Sequence, residues 1–362
     1  MTISHRVPII KAVGDACNLR CTYCFYNGTD QRPRSIMGRD LLRKFLSQYF
    51  SLFSGELRFV WHGGEPLLAG IDFYEDVLRF QREFSKTGDS VENMIQTNAT
   101  CITDDWAKFF KANNFRVGVS IDGNRDKHNR QRVDAGGNGS FDRVVSGIET
   151  LRRHGITPGV IQTLVRSGVD SLSDDIRFFL EELKIQGWAL NLFMDGSSHG
   201  ELVGEGLRDQ DVEKVYSTLL DEWLKRNDPN ICLREIENVV AGALERRAKS
   251  CSFNGTCANY FCLDANGIVW PCDRLSSDPK FMLGNLHEQT LQDIFEGEPA
   301  TAHAVCAGQL ADDCVSCRWR SACNNGCTAM RDTQNGKYVY CNSRQKAFQA
   351  VETLLSSDNP GG

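Results

Sequence analysis

Three cysteines open the chemistry of this chain. Cys17, Cys21 and Cys24 form a Cys-x3-Cys-x2-Cys loop near the amino terminus. Thiolates in such a loop hold three irons of a 4Fe–4S cubane and leave the fourth iron open for a bidentate ligand. A structural zinc site needs four closed ligands, and no fourth Cys or His lies within a turn of the loop. The chain has 15 cysteines in all; Cys101 stands alone, and the others lie at or beyond Cys232. Their spacings are Cys251-x5-Cys257-x14-Cys272, then Cys314-x2-Cys317-x5-Cys323-x3-Cys327, and finally Cys341. Eight thiolates suffice for two fully ligated 4Fe–4S clusters, although Cys314-x2-Cys317 also suits a zinc ribbon.

The stretch between the two cysteine groups must position them, and its hydrophobic period alternates between short apolar runs and longer amphipathic ones. Strands are predicted over 7–13, 57–61, 91–97, 116–121, 157–164 and 188–193. Helices are predicted over 39–53, 73–84, 104–111, 142–154 and 172–183. Six tandem βα units predict an α/β fold with a parallel sheet curved into a partial (β/α)6, TIM-like barrel. Chemistry then belongs at the carboxyl ends of the strands. Unusual residues do gather there: the three cysteines after the first strand, Trp61-His62-Gly63-Gly64-Glu65-Pro66 after the second and Gln96-Thr97-Asn98 after the third. Ser120-Ile121-Asp122-Gly123 follows the fourth, with Arg132 downstream, and Phe193-Met194-Asp195 ends the sixth.

Composition bounds the rest. The 362 residues carry 41 Lys+Arg against 47 Asp+Glu, a formal charge of −6, with 41% hydrophobic and 24% charged residues. A chain of this size buries roughly three quarters of its unfolded surface, so it needs no disulfides to fold. The first ten residues lack a secretory signal and no apolar run is long enough for a membrane span, so a cytoplasmic location is expected. In a reducing compartment this many cysteines points to metal or redox chemistry. The acidic balance argues against nucleic-acid binding, which needs a basic face. The expected partner is a small molecule, peptide or protein, with neither nucleic acid nor membrane.

Together these motifs resemble the radical S-adenosylmethionine superfamily over about residues 7 to 195, and the carboxy-terminal array resembles the SPASM iron–sulfur extension over about 245 to 345. The resemblance implies that Cys17, Cys21 and Cys24 hold a cluster whose open iron is chelated by S-adenosylmethionine, which is cleaved to a 5′-deoxyadenosyl radical. It further implies that Tyr23 lies beside the adenine, Gly63, Gly64 and Glu65 meet the methionine amine, Ser120 and Asp122 meet the ribose, and Arg132 meets the carboxylate. One auxiliary cluster is expected on Cys251, Cys257, Cys272 and Cys327 and a second on Cys314, Cys317, Cys323 and Cys341, making three 4Fe–4S clusters. Cys101, Cys232, Cys262 and Cys306 remain and are expected to be small buried hydrophobes.

Removing a hydrogen atom and then forming a new bond is a net two-electron oxidation, so an electron must leave the substrate radical and a base must take a proton. An auxiliary cluster can accept the electron. By the resemblance, Asp273 is the base, with Tyr26, His62, Asp195 and His199 as further candidates near the same mouth. The implied domains are a barrel over 1–200, a helical bridge over 201–249, the SPASM domain over 250–345, and a terminal helix with a frayed tail over 346–362. The start lies close to Cys17, so no separate leader-recognition domain is expected ahead of it. An electron donor such as a flavodoxin or ferredoxin is implied.

WHGGEPLLAG, IQTNA and VSIDG look like the maturases of ribosomal peptides that join an aromatic ring to the β-carbon of a nearby residue as a cyclophane. Anaerobic sulfatase-maturating enzymes, which make formylglycine from Cys or Ser, resemble the chain nearly as well but usually carry glutamine where His62 stands. A non-catalytic iron–sulfur electron carrier is a further alternative, for which an open iron beside Gly63 to Pro66 has no use.

Overall fold

The computed structural model describes residues 5–24, 26, 35–195, 202, 204–276 and 278–357. The chain begins with β1 (Val7–Lys11), α1 (Arg39–Leu52), β2 (Glu56–Trp61), α2 (Ile71–Phe84), β3 (Ser90–Thr97), α3 (Asp104–Ala112) and β4 (Arg116–Ser120). It continues through α4 (Arg125–Gln131), α5 (Phe141–Arg153), β5 (Gly159–Leu164), α6 (Leu172–Arg177) and β6 (Gly187–Leu192). Then come α7 (Asp209–Arg226), β7 (Cys232–Leu233), α8 (Arg234–Leu244), α9 (Cys251–Asn254), β8 (Tyr260–Asp264), β9 (Ile268–Trp270) and β10 (Gly284–Asn285). The last elements are α10 (Leu291–Glu296), α11 (Glu298–Gly308), α12 (Asp312–Val315), α13 (Arg320–Cys323) and α14 (Cys341–Ser357). The predicted alternation of strand and helix is present, with boundaries shifted by a residue or two.

The chain divides into two compact units. The first comprises residues 1–121, 128–158 and 258–304, and the second 122–127, 159–257 and 305–362. In the first, neighbouring strands run β10-β9-β8-β1-β2-β3-β4. The pairs β8–β1, β1–β2, β2–β3 and β3–β4 are parallel, whereas β9 and β10 add antiparallel edges. The β1–β8 register sets Lys11 opposite Asp264. In the second unit β5, β6 and β7 are parallel. The parallel strands are joined by helical crossovers, as such pairs require.

Local sequence explains the helices. In α1 the buried Leu41, Leu42, Phe45, Leu46, Tyr49 and Phe50 recur at helical spacing. Tyr49 packs 5.0 Å from Phe59 of β2, and Phe45 lies 6.2 Å from Phe261 of β8, so one apolar face covers both strands. Burying each such ring is worth about 2–3 kcal/mol. The Thr103 side chain caps α3 by accepting from Trp106 N, and Asp104 and Asp105 face its positive end.

Two helix expectations are corrected. The segment 172–183 is not one α-helix: after α6 the backbone widens to a π-turn over Phe178–Glu182, and the extra residue lets both Phe178 and Phe179 bury. The helical bridge expected over 201–249 does not run to its end: α8 stops at Leu244, because Arg246 takes a left-handed conformation. The Asn238 side chain then accepts from Lys249 N and Ser250 N, turning the chain back toward α9. Among the described residues no helix is long and apolar enough to cross a membrane.

Candidate active site and cluster sites

The Cys17–Cys24 loop leaves β1 and is pinned along its length. Arg20 N donates to Val133 O and Thr22 N to Gln131 O, while Cys24 N turns back to Cys21 O. Asn98 Nδ2 lies 3.8 Å from Cys17 Sγ and donates to Asn18 Oδ1 at 2.8 Å, which ties the end of β3 to the loop. All three thiols are half-buried.

The Gly-Gly segment after β2 is packed against the same loop. Gly64 is left-handed at φ +56°, and a β-carbon there would lie 2.2 Å from Ala16 O, the carbonyl just before Cys17; at Gly63 one would lie 2.4 Å from the Lys11 side chain. Only glycine allows so close a backbone approach. A loop of three thiols beside this bare backbone fits a cluster with one open iron.

Glu65 turns inward. It is fully buried, and its carboxylate accepts from Leu67 N (3.0 Å), Thr97 Oγ1 (2.7 Å) and Asn98 N (2.8 Å). Burial pushes its carboxyl up to about 7, against the pull of these hydrogen bonds. Glu65 therefore clamps the ends of β2 and β3. Ser120, at the end of β4, accepts from Gln96 Nε2 at 3.0 Å, and Gly118 leaves the room in which the Gln96 amide lies. The buried Arg132 guanidinium sits 5.4 Å from the Tyr23 ring centroid, so these two expected cofactor contacts are brought together. Asp122 belongs to the second unit, where it is buried and accepts from Thr163 N at 2.9 Å.

Among the residues expected to move protons, two meet in the first unit. His62 Nδ1 lies 3.5 Å from Asp273 Oδ2, both partly exposed. Burial raises the Tyr26 phenol well above its usual range; Lys11 opposes that rise and the Asp273 carboxylate adds to it. In the second unit the Asp195 carboxylate accepts from Gly204 N and Gly206 N at 3.0 Å each. His199 lies outside the described residues.

Sequence reasoning missed Lys11. It is completely buried at the end of β1, with Nζ 2.5 Å from Asp15, 3.3 Å from Asp264 and 4.4 Å from the Tyr26 ring centroid. Burial works against its charge, but Tyr26, Asp264, Cys262 and Asp15 outweigh that and raise its pKa. The signal available was a lysine inside the apolar run Val7 to Val13, directly ahead of the cysteine loop.

In the second unit Cys314, Cys317, Cys323 and Cys341 line one cavity together with Arg344 and Tyr338. Burial pushes the Cys314 thiol up, and Cys341, Cys323 and Cys317 push it further. Four thiols crowded around one cavity are the donor set that would hold a 4Fe–4S cluster. Cys257 Sγ lies 3.0 Å from Thr328 Oγ1, next to Cys327, and the Cys251–Cys257 loop passes Gly255 against the Asn324 and Gly326 carbonyls. Among the described residues no three Cys, His, Asp or Glu side chains converge at single-ion range. Of the remaining cysteines, Cys262 is buried and Cys101 half-buried. Cys232 and Cys306 are exposed, against expectation: one sits in the two-residue strand β7 and the other on α11.

Comparison with known proteins agrees with this geometry. The radical SAM superfamily profile matches residues 12–177, and that of the iron–sulfur cluster-binding SPASM domain matches 251–328. A cysteine-type anaerobic sulfatase-maturating enzyme of Clostridium novyi is 30% identical over 94% of this chain and 94% of its own. The solved structure of anSMEcpe with AdoMet and a bound peptide superposes with a TM-score of 0.87 at 27% identity, over 98% of this chain and 99% of that one. Streptococcus suis SuiB bound to its precursor peptide SuiA shares the fold, with a TM-score of 0.68 at 15% identity over 93% of this chain and 75% of that one.

Proposed function

The chain belongs to the radical S-adenosylmethionine superfamily and carries a SPASM iron–sulfur domain, and from that premise we propose that it oxidises a side chain of a ribosomally made peptide by two electrons. The cluster and S-adenosylmethionine, when bound, supply the 5′-deoxyadenosyl radical that takes a hydrogen atom from the substrate. Cys17, Cys21 and Cys24 hold that cluster. Tyr23 under Arg132 walls the adenine, and Arg132 also attracts the carboxylate. The Gly63–Gly64 backbone, kept in place by Glu65, receives the amine; Ser120, oriented by Gln96, and Asp122 hold the ribose hydroxyls.

Asp273 takes the proton released as the substrate radical is oxidised, and His62 shares it across their contact. Cys251, Cys257, Cys272 and Cys327 hold one auxiliary cluster and Cys314, Cys317, Cys323 and Cys341 another, as acceptors of the departing electron. A flavodoxin- or ferredoxin-type donor provides the reducing electron. The observation that carries this reading is His62 against Asp273: the proton acceptor directly follows the ligand Cys272, so proton and electron leave toward neighbouring groups.

The product we favour is an intrapeptide bond from an aromatic ring to a β-carbon. One Cβ–H and one ring C–H are lost as a single C–C bond forms, which balances two electrons and two protons. Its support is the WHGGEPLLAG, IQTNA and VSIDG segments, with His62 in place of glutamine. Formylglycine formation is the second reading, favoured by the full-length likeness to the C. novyi enzyme. Incubating the reduced, reconstituted protein with a precursor peptide encoded beside its gene, and separately with a sulfatase-type Cys/Ser peptide, tests both by tandem mass spectrometry. Loss of two hydrogens with missing internal fragments and no aldehyde supports the crosslink. An aldehyde on the sulfatase peptide alone establishes the second reading.

A further inference from the structure

Arg344, three residues into α14, is 1% exposed. Its Nη1 donates to Phe253 O at 3.1 Å and lies 3.6 Å from Cys323 Sγ, and its Nη2 donates to Ser252 O at 3.1 Å. The guanidinium lies over two aromatic rings, 3.9 Å from the Tyr338 centroid and 4.3 Å from that of Phe253. Its Nε has no hydrogen-bond partner among the described residues. No carboxylate pairs with it there; the ionisable groups facing it are Tyr338, Tyr216 and Cys323.

Burying a cation without a counter-ion costs several kcal/mol, so a buried guanidinium normally has an acid beside it. Here the anionic partner available is the four-cysteine cavity that Arg344 itself lines. Four thiolates outweigh the positive charge of an iron–sulfur core, and one-electron reduction adds a further negative charge. A fixed cation at a ligand sulfur favours the reduced form over the oxidised one.

Resting on the reading that these four cysteines hold a cluster, we infer that Arg344 is the built-in counter-charge of that cluster and raises its reduction potential, making the site a readier electron acceptor. The same side chain grips the Ser252 and Phe253 carbonyls, which lie between Cys251 and Cys257. One cation thus touches both auxiliary ligand loops. A purely structural arginine would tie these loops together without moving a potential, and this separates the two roles.

The test is an EPR-monitored redox titration of the reconstituted full chain carrying Cys17, Cys21 and Cys24→Ala to silence the open-iron cluster, with iron, sulfide and zinc analysis. Arg344→Met is expected to shift one auxiliary midpoint to more negative potential, while Arg344→Lys stays near the parent value. If Arg344→Met does not retain its iron, Arg344→Gln, which keeps donors for the two carbonyls, is read in its place with the same expectation. An unchanged midpoint in the neutral variant with full iron overturns the inference, as does an equal negative shift in Arg344→Lys. Zinc in place of iron at the four cysteines of the parent protein ends the cluster reading and the inference together.

Discussion

His62 Nδ1 lies 3.5 Å from Asp273 Oδ2, joining the end of β2 to the residue that follows Cys272. At this exposure such a contact adds little to stability, about 0–1 kcal/mol. What the contact does is set an imidazole against the carboxylate that we propose as the base.

Replacing Asp273 by Asn should therefore leave S-adenosylmethionine cleavage largely intact while lowering peptide product on the order of 100-fold or more. Quantifying 5′-deoxyadenosine and modified peptide in the same reaction decides this. Normal product yield would remove Asp273 from the role of base.

Changing Cys17, Cys21 and Cys24 together to Ala should abolish 5′-deoxyadenosine formation while leaving the iron held by the carboxy-terminal cysteines. Iron analysis beside the cleavage assay checks both halves. Surviving cleavage would sink the assignment of the open-iron cluster.

Lys11 neutralises Asp15 and Asp264 from a wholly buried position. Lys11→Met leaves those carboxylates facing each other without a cation, at a cost of about 3–5 kcal/mol. Anaerobic denaturant unfolding measures this, and a loss below about 1 kcal/mol would contradict the ion-pair account.

The Glu65 carboxyl, at about 7 in the fold, lies above the value of about 4.3 expected for an unfolded chain. Between those values the folded state keeps a proton that the unfolded state has lost. The contribution to stability is thus complete below the lower value and is lost as pH rises through about 7, a loss of about 3–4 kcal/mol. Glu65→Gln cannot titrate, so the stability of wild type relative to this variant should fall from about pH 5 to pH 8 in cofactor-free protein. A pH-independent difference would refute the burial argument.

Gly64→Ala should cost on the order of 3 kcal/mol, since it adds a backbone clash to left-handed strain. Iron uptake at the neighbouring loop should fall with it. Gly70 also has a positive φ, +82° with ψ 160°, a conformation open essentially to glycine alone, but has open space where its β-carbon would go, so Gly70→Ala should cost about 1–3 kcal/mol of backbone strain and leave iron uptake alone. Equal iron loss in both variants would show that the Ala16 contact is immaterial.

Much of this protein is written along its chain. The alternation of apolar runs, the cysteine spacings and the glycines after β2 are local patterns, and each reports a period or a donor set without reference to the rest of the fold. They determined the βα order and the superfamily, and they single out the cysteines we propose as cluster ligands. The tertiary structure decided what depends on residues distant in sequence. Glu65 reads as a carboxylate facing the methionine amine until Thr97 and Asn98 close on it, and Asp195 reads as a site residue until Gly204 and Gly206 claim its carboxylate. Lys11 and Arg344 carry no motif at all. Each is a charge whose burial becomes meaningful only when the chain brings Asp264 to the one and the Cys323 thiol to the other, because electrostatic partnership depends on distance in space and leaves no period in the sequence.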